Sequence, residues 1–375
     1  MSSKDFHWFS PRSVRVLVPL ALISTVGLYW VEQGKRWVES PFHAEMKAAA
    51  ELSARGAALL KTQRLERGVF VDPVNDPAET ALIGQEYTQI TTDRGYLDAK
   101  LASTDPNFAA VVVHMLREMR VESGDCVAVA ATGSFPALNL STLAAVESVG
   151  AKAALISSVG ASNFGATDPY FTWLDMEREL VDGGVLKTRS LAASLGGGRD
   201  VGQGLSPKGR RLLQEAIERN EVPLVLENAL EKSIRERERL YREACGDDGV
   251  AAYVNLGGGV ASLGHSLNGE LVPTGATQLL PQRNYPVRGT LMRIAADGVP
   301  VINLLNVRSL GLRYGLVPFE TVLPSPGQGE VFGEVRYDLM RTGLVTAIVL
   351  GLLFGIYRFD QRIHRLGQPG PENLS

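Results

Sequence analysis

The residues that could bind a ligand or catalyse a reaction lie in a short hydroxyl-containing loop, in a longer polar loop and in two glycine-rich turns. The short loop follows the apolar run 126–131. This loop contains Thr132, Gly133 and Ser134, and a helix is predicted directly after it, over 137–149. The backbone N–H groups at such a helix N-terminus, together with two hydroxyl groups, would form a cradle for a carboxylate or another anion. An ordinary capped turn between a strand and a helix has the same pattern.

A second loop, from Ser157 to Pro169, is longer and more polar than a connection between a strand and a helix requires. Its hydroxyl and amide groups suit a polar substrate, although a cap over the next helix would use the same residue types. The binding candidates in this loop are Ser157, Ser158, Ser162 and Asn163.

Two loop serines, Ser134 and Ser162, are candidate nucleophiles for acyl transfer. The G-x-S-x-G pattern of serine hydrolases is absent around Ser162, because Phe164 stands where the second glycine would be required. His265 is the histidine near a glycine-rich loop and is the candidate general base, although a lone histidine more often has a structural role.

Two further turns are rich in glycine and follow apolar runs. Glycine allows the backbone to approach a ligand or a neighbouring segment closely, and close packing is the commoner reason for it. An arginine beside the first turn has the geometry to bind a carboxylate. The candidates in these turns are Gly196, Gly197, Gly198, Arg199, Gly257 and Gly258.

Cofactor and metal sites are not indicated by the sequence. Neither G-x-G-x-x-G nor G-x-x-x-x-G-K-[ST] occurs, so no dinucleotide or ATP site is expected, and the five histidines form no cluster with metal-ligand spacing. The 38 basic and 41 acidic residues give a net charge of −3, which excludes the strongly basic balance typical of a nucleic-acid-binding protein.

Strands that alternate with helices from residue 124 onward must position these loops. The pattern predicts a Rossmann-like α/β fold with a mostly parallel, doubly wound sheet, in which the loops after successive strands gather at one edge. The predicted strands cover 126–131, 152–157, 188–193, 223–226, 250–256 and 300–305. The predicted helices cover 42–67, 107–120, 137–149, 170–182 and 207–220, with another that begins at Pro77.

Two uncharged apolar runs, 16–31 and 342–357, lie near the ends of the chain and are predicted to be transmembrane helices. Each is slightly short for a bilayer, but Arg15, Arg341 and Arg358 can extend them by snorkelling. A buried core helix and the apolar part of a signal peptide have a similar composition. Because no A-x-A-like cleavage site follows the first run, an uncleaved anchor is favoured.

Basic residues are slightly more frequent outside the two runs than between them, which favours cytoplasmic termini and an extracytoplasmic middle. A disulfide between Cys126 and Cys245 is compatible with that location, but the sequence does not decide it. The predicted organisation is a cytoplasmic tail (1–13), a transmembrane helix (14–31), a helical membrane-proximal region (32–122), an α/β ligand-binding domain (123–335), a membrane-proximal segment (336–341), a transmembrane helix (342–357) and a cytoplasmic tail (358–375).

Five segments resemble the bacterial poly-γ-glutamate system protein family, with order and spacing kept through most of the chain between the two runs. They are Glu86–Thr92, Thr132–Asn139, Ile156–Ser162, Phe171–Glu177 and Ala192–Gly198. The resemblance implies a membrane-associated component of the machinery that makes, exports or anchors poly-γ-glutamate at the cell surface. It assigns no catalytic residues.

Three functions are compatible with these observations, and the third of them is a mechanical role in which the two spans assemble a channel or synthase. The leading hypothesis is a membrane-anchored accessory protein, without catalytic activity, that binds the anionic polymer or the synthase subunits at the outer face of the cytoplasmic membrane. The alternative is a hydrolase or transferase that acts on the γ-amide bond of the polymer through a loop serine. Partners are therefore expected to be the lipid bilayer, the polymer and its synthase.

Overall fold

The computed structural model of the protein describes residues 14–69, 71–316 and 321–366. The chain divides into two units, one formed by Met1–Glu39 with Gly333–Ser375 and the other by Ser40–Phe332. The predicted tail 1–13 and the last part of the predicted tail 358–375, residues 367–375, lie outside the described residues.

Helices and strands alternate along most of the chain. The helices are α1 (Val14–Glu32), α2 (His43–Glu66), α3 (Leu97–Ser103), α4 (Phe108–Glu118), α5 (Pro136–Ser148), α6 (Trp173–Asp182), α7 (Pro207–Arg219), α8 (Leu230–Cys245), α9 (Val260–Leu263), α10 (Asn268–Leu271), α11 (Thr290–Ala295), α12 (Val307–Arg313) and α13 (Leu339–Leu366). The strands are β1 (Arg36–Glu39), β2 (Thr91–Asp93), β3 (Cys126–Thr132), β4 (Lys152–Ser158), β5 (Ala161–Ser162), β6 (Ala192–Ser194), β7 (Ala252–Leu256), β8 (Gly275–Thr277), β9 (Val301–Leu304) and β10 (Gly333–Arg336).

A six-stranded sheet with the order β6-β4-β3-β7-β9-β8 forms the centre of the larger unit. All pairings in it are parallel except that of β8 with β9. The chain moves outward from β3 in both directions, first through β4 and β6 and then through β7 and β9, which is the order of a doubly wound sheet. The predicted α/β class and the mostly parallel sheet are confirmed.

Helices cover both faces of this sheet, because alternate residues of a strand point to opposite sides. Val127 and Val129 of β3 belong to a core that contains residues of α2, α4, α5, α6 and α7. Ala128 and Ala130 belong to a second core, which contains residues of α8 and α11. A disulfide between Cys126 and Cys245, with 5.4 Å between the Cα atoms, joins the start of β3 to the end of α8.

The structure differs from the sequence-based expectations in four respects in this unit. Residues around Pro77 form turns, so the helix predicted there is wrong, and the run 223–226 makes only one bridge, between Leu224 and Ala193. The antiparallel strand β8 was not predicted. Residues 40–122 belong to the same unit as the sheet, because α2 and α4 pack into its core, whereas the sequence suggested a separate region over 32–122.

The smaller unit is a helical hairpin closed by a two-stranded sheet. β1 and β10 pair antiparallel, and α1 packs against α13 with Gly27 facing Val345. Among the described residues one helix, over Leu339–Arg362, is long and apolar enough to cross a membrane, while the apolar part of α1, Val16–Glu32, is shorter than that limit.

Candidate functional site

A cleft of about 1110 Å³ lies at the edge of the sheet where its parallel strands end. Its walls come from the segments that follow β2, β3, β6, β7 and β9, together with the end of β4, β5 and α3. The loops after β3 and β7 meet there: a Cβ on Gly257 would lie 3.2 Å from Thr132 Oγ1. These two strands are the point at which the strand order reverses, which is where open α/β sheets bind ligands.

The central feature of the cleft is a contact between a lysine and a serine. Lys100 Nζ lies 2.9 Å from Ser162 Oγ, and Nζ also donates a hydrogen bond to the backbone carbonyl of Ser134. Lys100 and Ser162 both line the cleft. A serine hydroxyl within hydrogen-bond distance of an amine is the arrangement required for a nucleophile and its general base.

Burial makes Lys100 a suitable base near neutral pH. The residue is only 2% exposed, and its burial lowers the pKa of the amine to about 7. Among the described residues no carboxylate pairs with it, and its Nζ instead lies 3.6 Å from the centroid of the Phe135 ring. A neutral Lys100 can therefore donate to the Ser134 carbonyl and accept the proton of the Ser162 hydroxyl.

The short parallel pair β2 and β5 brings the lysine segment to the serine. In this pair Asp93 stands opposite Ser162, and the N–H of Asn163 donates to the carbonyl of Asp93 over 3.1 Å. Gly95 follows, and its N–H donates to Asn163 Oδ1 over 3.0 Å. Helix α3 begins shortly after Gly95, and Lys100 lies in it.

Ser162 is also fixed from the side of the first polar loop. Its backbone N–H donates to Ser134 Oγ over 3.0 Å. Gly95 leaves the space that the Ser162 hydroxyl occupies, since a Cβ there would lie 2.9 Å from Ser162 Oγ. Ser134 is therefore a positioning residue, and Ser162 is the better candidate for the nucleophile.

A buried ion pair supports the glycine-rich wall of the cleft. Arg237 and Asp200 are 2% and 1% exposed and lie 3.1 Å apart. Arg237 also donates to Ser158 and Ser194, at the ends of β4 and β6, over 2.9 and 2.7 Å. Asp200, which follows the turn at 196–198, adopts a positive φ of 66°, and its ion pair with Arg237 offsets the cost of that backbone conformation.

The structure brings eight of the predicted site residues into one cleft. Those that line it are Thr132, Ser134, Ser158, Ser162, Gly196, Gly197, Gly198 and Gly258.

The other predicted site residues have structural contacts instead. Ser157 Oγ lies 2.8 Å from Ser190 Oγ, Asn163 Nδ2 donates to the Glu86 carbonyl, and Arg199 donates to the Asn228 carbonyl. Gly133 and Gly257 allow close packing: a Cβ on them would lie 2.3 Å from the Val159 carbonyl oxygen and 3.1 Å from the Phe135 ring, respectively.

His265 is not part of the cleft lining. Its Nδ1 accepts a hydrogen bond from the N–H of Leu267 over 3.2 Å, so it caps a local turn. The base that the structure offers to Ser162 is Lys100, which the sequence did not single out. A lysine in a short helix with mixed charges is indistinguishable from a solvated lysine, and only the pairing of β2 with β5 reveals its position.

The described residues contain no group of three or more histidine, cysteine, aspartate and glutamate side chains that could hold a metal ion. Comparisons of the chain with protein-family models, with curated proteins and with solved structures found no match.

Proposed function

We propose that the protein is a serine amide hydrolase or acyltransferase in which Ser162 is the nucleophile and Lys100 the general base. The observation that carries the proposal is the 2.9 Å contact between Lys100 Nζ and Ser162 Oγ inside a large cleft. The substrate we propose is the γ-amide bond of poly-γ-glutamate, which is supported by the family resemblance of the sequence.

The reaction follows from the two side chains. Neutral Lys100 accepts the proton of the Ser162 hydroxyl as Oγ attacks the γ-carbonyl carbon, and a tetrahedral oxyanion forms. The C–N bond then breaks, and the lysine ammonium returns the proton to the leaving amine. The resulting γ-glutamyl ester of Ser162 is released by water in a hydrolase, or by another amine in a transferase, with Lys100 again as the base.

We further propose that this reaction takes place at the outer face of the cytoplasmic membrane, with α1 and α13 as two spans and both termini cytoplasmic. α13 has sufficient length and apolar character, and α1 packs against it. Near one end of this pair, Arg341 lies over the Trp30 ring and Tyr337 donates to Glu32, which is typical of a membrane interface.

The disulfide between Cys126 and Cys245 supports the same location, because such bonds persist in oxidising compartments outside the cytoplasm. Alkaline phosphatase fused near position 200 should be active if the middle of the chain is outside. An inactive fusion in an intact membrane-bound product would contradict this topology.

The catalytic proposal is tested with the full chain in lipid nanodiscs. A fluorophosphonate probe should label Ser162, as identified by mass spectrometry of the labelled peptide, and poly-γ-glutamate should be shortened or transferred to an added amine. Ser162→Ala should abolish labelling and lower turnover by about 10³-fold or more. Ser266→Ala, which also removes a hydroxyl from the cleft lining, is the matched control and should retain both the probe labelling and the turnover.

A different result would favour the accessory function. If the intact protein is not labelled and leaves the polymer unchanged, but binds the polymer or its synthase equally well with and without Ser162, then catalysis is excluded. The protein would then be a non-catalytic component that uses the cleft for binding.

A further inference from the structure

Two charged side chains of opposite sign stand beside the candidate nucleophile and have no role in the reaction described above. Asp93 and Arg94 both line the cleft and both are exposed. Among the described residues neither forms an ion pair with another side chain; Asp93 Oδ1 accepts only the neighbouring N–H of Arg94, over 2.7 Å.

Their position relative to Ser162 follows from the backbone. Asp93 is the residue opposite Ser162 in the pairing of β2 with β5. Arg94 is followed by Gly95, whose Cβ position lies 2.9 Å from Ser162 Oγ. Both charged residues therefore lie beside Ser162 along the backbone, and all three residues line the same cleft.

Apart from Lys100, the other charged residues of the cleft lining are either paired with each other or lie on a segment that, among the described residues, makes no hydrogen bond to the Ser162 loop. Arg308 lies 3.2 Å from Asp98, so the two charges compensate each other. Glu270 is on α10, whereas Asp93 and Gly95, on either side of Arg94, hydrogen-bond directly to Asn163, the residue after Ser162. In the part of the chain that the structure describes, Ser162 is thus flanked by a carboxylate and a guanidinium that form no ion pair with another side chain.

We propose that Asp93 and Arg94 bind the α-ammonium and α-carboxylate groups of an amino-acid-type acyl donor. A guanidinium binds a carboxylate with two parallel hydrogen bonds, and a carboxylate accepts hydrogen bonds from an ammonium group. This specificity rests on the proposed function of Ser162 and Lys100 as an acyl-transfer pair.

Binding of both groups would make the site select the end of the polymer substrate over its interior units. In a γ-linked glutamate chain every unit has a free α-carboxylate, but only the unit at the amino terminus has a free α-ammonium group. A site that binds both groups next to the nucleophile acts on that terminal unit and releases or transfers one γ-glutamyl residue at a time.

The test uses three chromogenic anilides with the full chain in nanodiscs. γ-Glutamyl anilide, offered as both enantiomers, has both charged groups. Glutaryl anilide lacks only the ammonium group, and 4-aminobutyryl anilide lacks only the carboxylate. We expect kcat/KM to fall about tenfold or more for each of the two truncated compounds, since each loses a charged hydrogen-bonding partner.

Two substitutions assign the charges. Arg94→Gln should lower kcat/KM for γ-glutamyl anilide about tenfold and leave that for 4-aminobutyryl anilide unchanged. Asp93→Asn should lower kcat/KM for γ-glutamyl anilide and leave kcat/KM for glutaryl anilide unchanged. Arg211→Gln and Glu215→Gln are the controls, because they remove exposed charges on α7, outside the cleft lining, and should change no value.

Failure of this inference and failure of the proposed function give different results. Equal cleavage of all three anilides, unaffected by either substitution, overturns the inference while Ser162 labelling still supports acyl transfer. If no anilide is cleaved and Ser162 is not labelled, calorimetric binding of glutamine, glutaramate and 4-aminobutanamide decides. Tighter binding of glutamine that depends on Asp93 and Arg94 supports the inference without catalysis, and equal binding of the three overturns it.

Discussion

The amine of Lys100 lies 3.6 Å from the centroid of the Phe135 ring, and no carboxylate among the described residues pairs with that amine. The aromatic face is a weak partner for a positive charge compared with the water that burial removes. The pKa of Lys100 is accordingly lowered to about 7, so the neutral and charged forms exchange in the physiological range.

The rate should therefore depend on pH in one direction. Below about pH 7 Lys100 is protonated and cannot accept the Ser162 proton, so kcat/KM should rise about tenfold per pH unit and level off above the pKa. Lys100→Arg should be inactive throughout, because a guanidinium does not lose its proton. A wild-type profile that is flat between pH 5.5 and about 8 would exclude Lys100 as the base.

The same group makes stability depend on pH. In the unfolded chain Lys100 keeps its proton up to about pH 10.4, whereas the folded protein releases it near pH 7. Between these values the unfolded state binds more protons, so the free energy of unfolding should rise with pH, by at most about 1.4 kcal/mol per pH unit. The contribution of Lys100 to the stability of the folded protein is least favourable below pH 7, where the buried amine is charged.

Lys100→Met should for this reason be more stable than the wild type at pH 6, and the difference should shrink towards pH 10. Thermal melting of both proteins across this range measures it. Lys208→Met, at an exposed position of α7, serves as the control and should show a constant difference. A gap between Lys100→Met and the wild type that does not change with pH would contradict the burial argument.

Gly95 is required next to Ser162, the proposed nucleophile. A methyl group there would lie 2.5 Å from the Asn163 carbonyl oxygen and 2.9 Å from Ser162 Oγ, so Gly95→Ala should displace the serine. We expect probe labelling of Ser162 to fall about 10²-fold and stability by about 1–3 kcal/mol. Gly258→Ala, in the same cleft but with no atom within 4 Å of its Cβ position, should change neither.

The bond between Cys126 and Cys245 links β3 to α8 across 119 residues of chain. Cys126→Ser combined with Cys245→Ser should destabilise the protein by about 2–5 kcal/mol, measured as a lower melting temperature. Alkylation of protein taken directly from membranes should modify neither thiol unless a reductant is present. Modification of both thiols without reductant would contradict an oxidising location.

The helix pair of the smaller unit depends on Gly27. A Cβ there would lie 2.6 Å from a methyl group of Val345, so Gly27→Leu should separate α1 from α13. Cysteine pairs introduced across the two helices should cross-link less efficiently in this variant. Gly351→Leu, with open space at its Cβ position, should cross-link as the wild type does.

The sheet and the gathering of its loops were predictable because β3 and β4 are continuous apolar runs followed by polar turns. Ser134 follows the end of β3 and Ser162 follows the end of β4, so the parallel pairing of these strands brings both serines to the same edge of the sheet. The pattern cannot show which groups from other parts of the chain reach that cleft. β2 and β5 have three and two residues, too few for a periodic signal, yet their pairing brings Lys100 to Ser162.

The burial of Arg237 could not be predicted from the sequence either. The charged stretch of α8 reads as a solvated helix, and its outer face does carry pairs one turn apart, such as Arg242 with Glu238. Arg237 lies on the opposite face of that helix and pairs with Asp200, whose left-handed backbone is unusual for a residue other than glycine. Charge patterns along a helix do not reveal which member is buried.

The first and last residues of the larger unit are adjacent, because the N–H of Ser40 donates to the carbonyl of Phe332 over 2.9 Å. Its two chain ends are therefore neighbours, as they are in domains that have been inserted into a host protein. A linker of a few residues could join 39 directly to 333, and the excised piece could be closed head to tail. The larger unit can thus be transferred to another carrier protein, or the smaller unit joined to another domain, through a short linker at the junction.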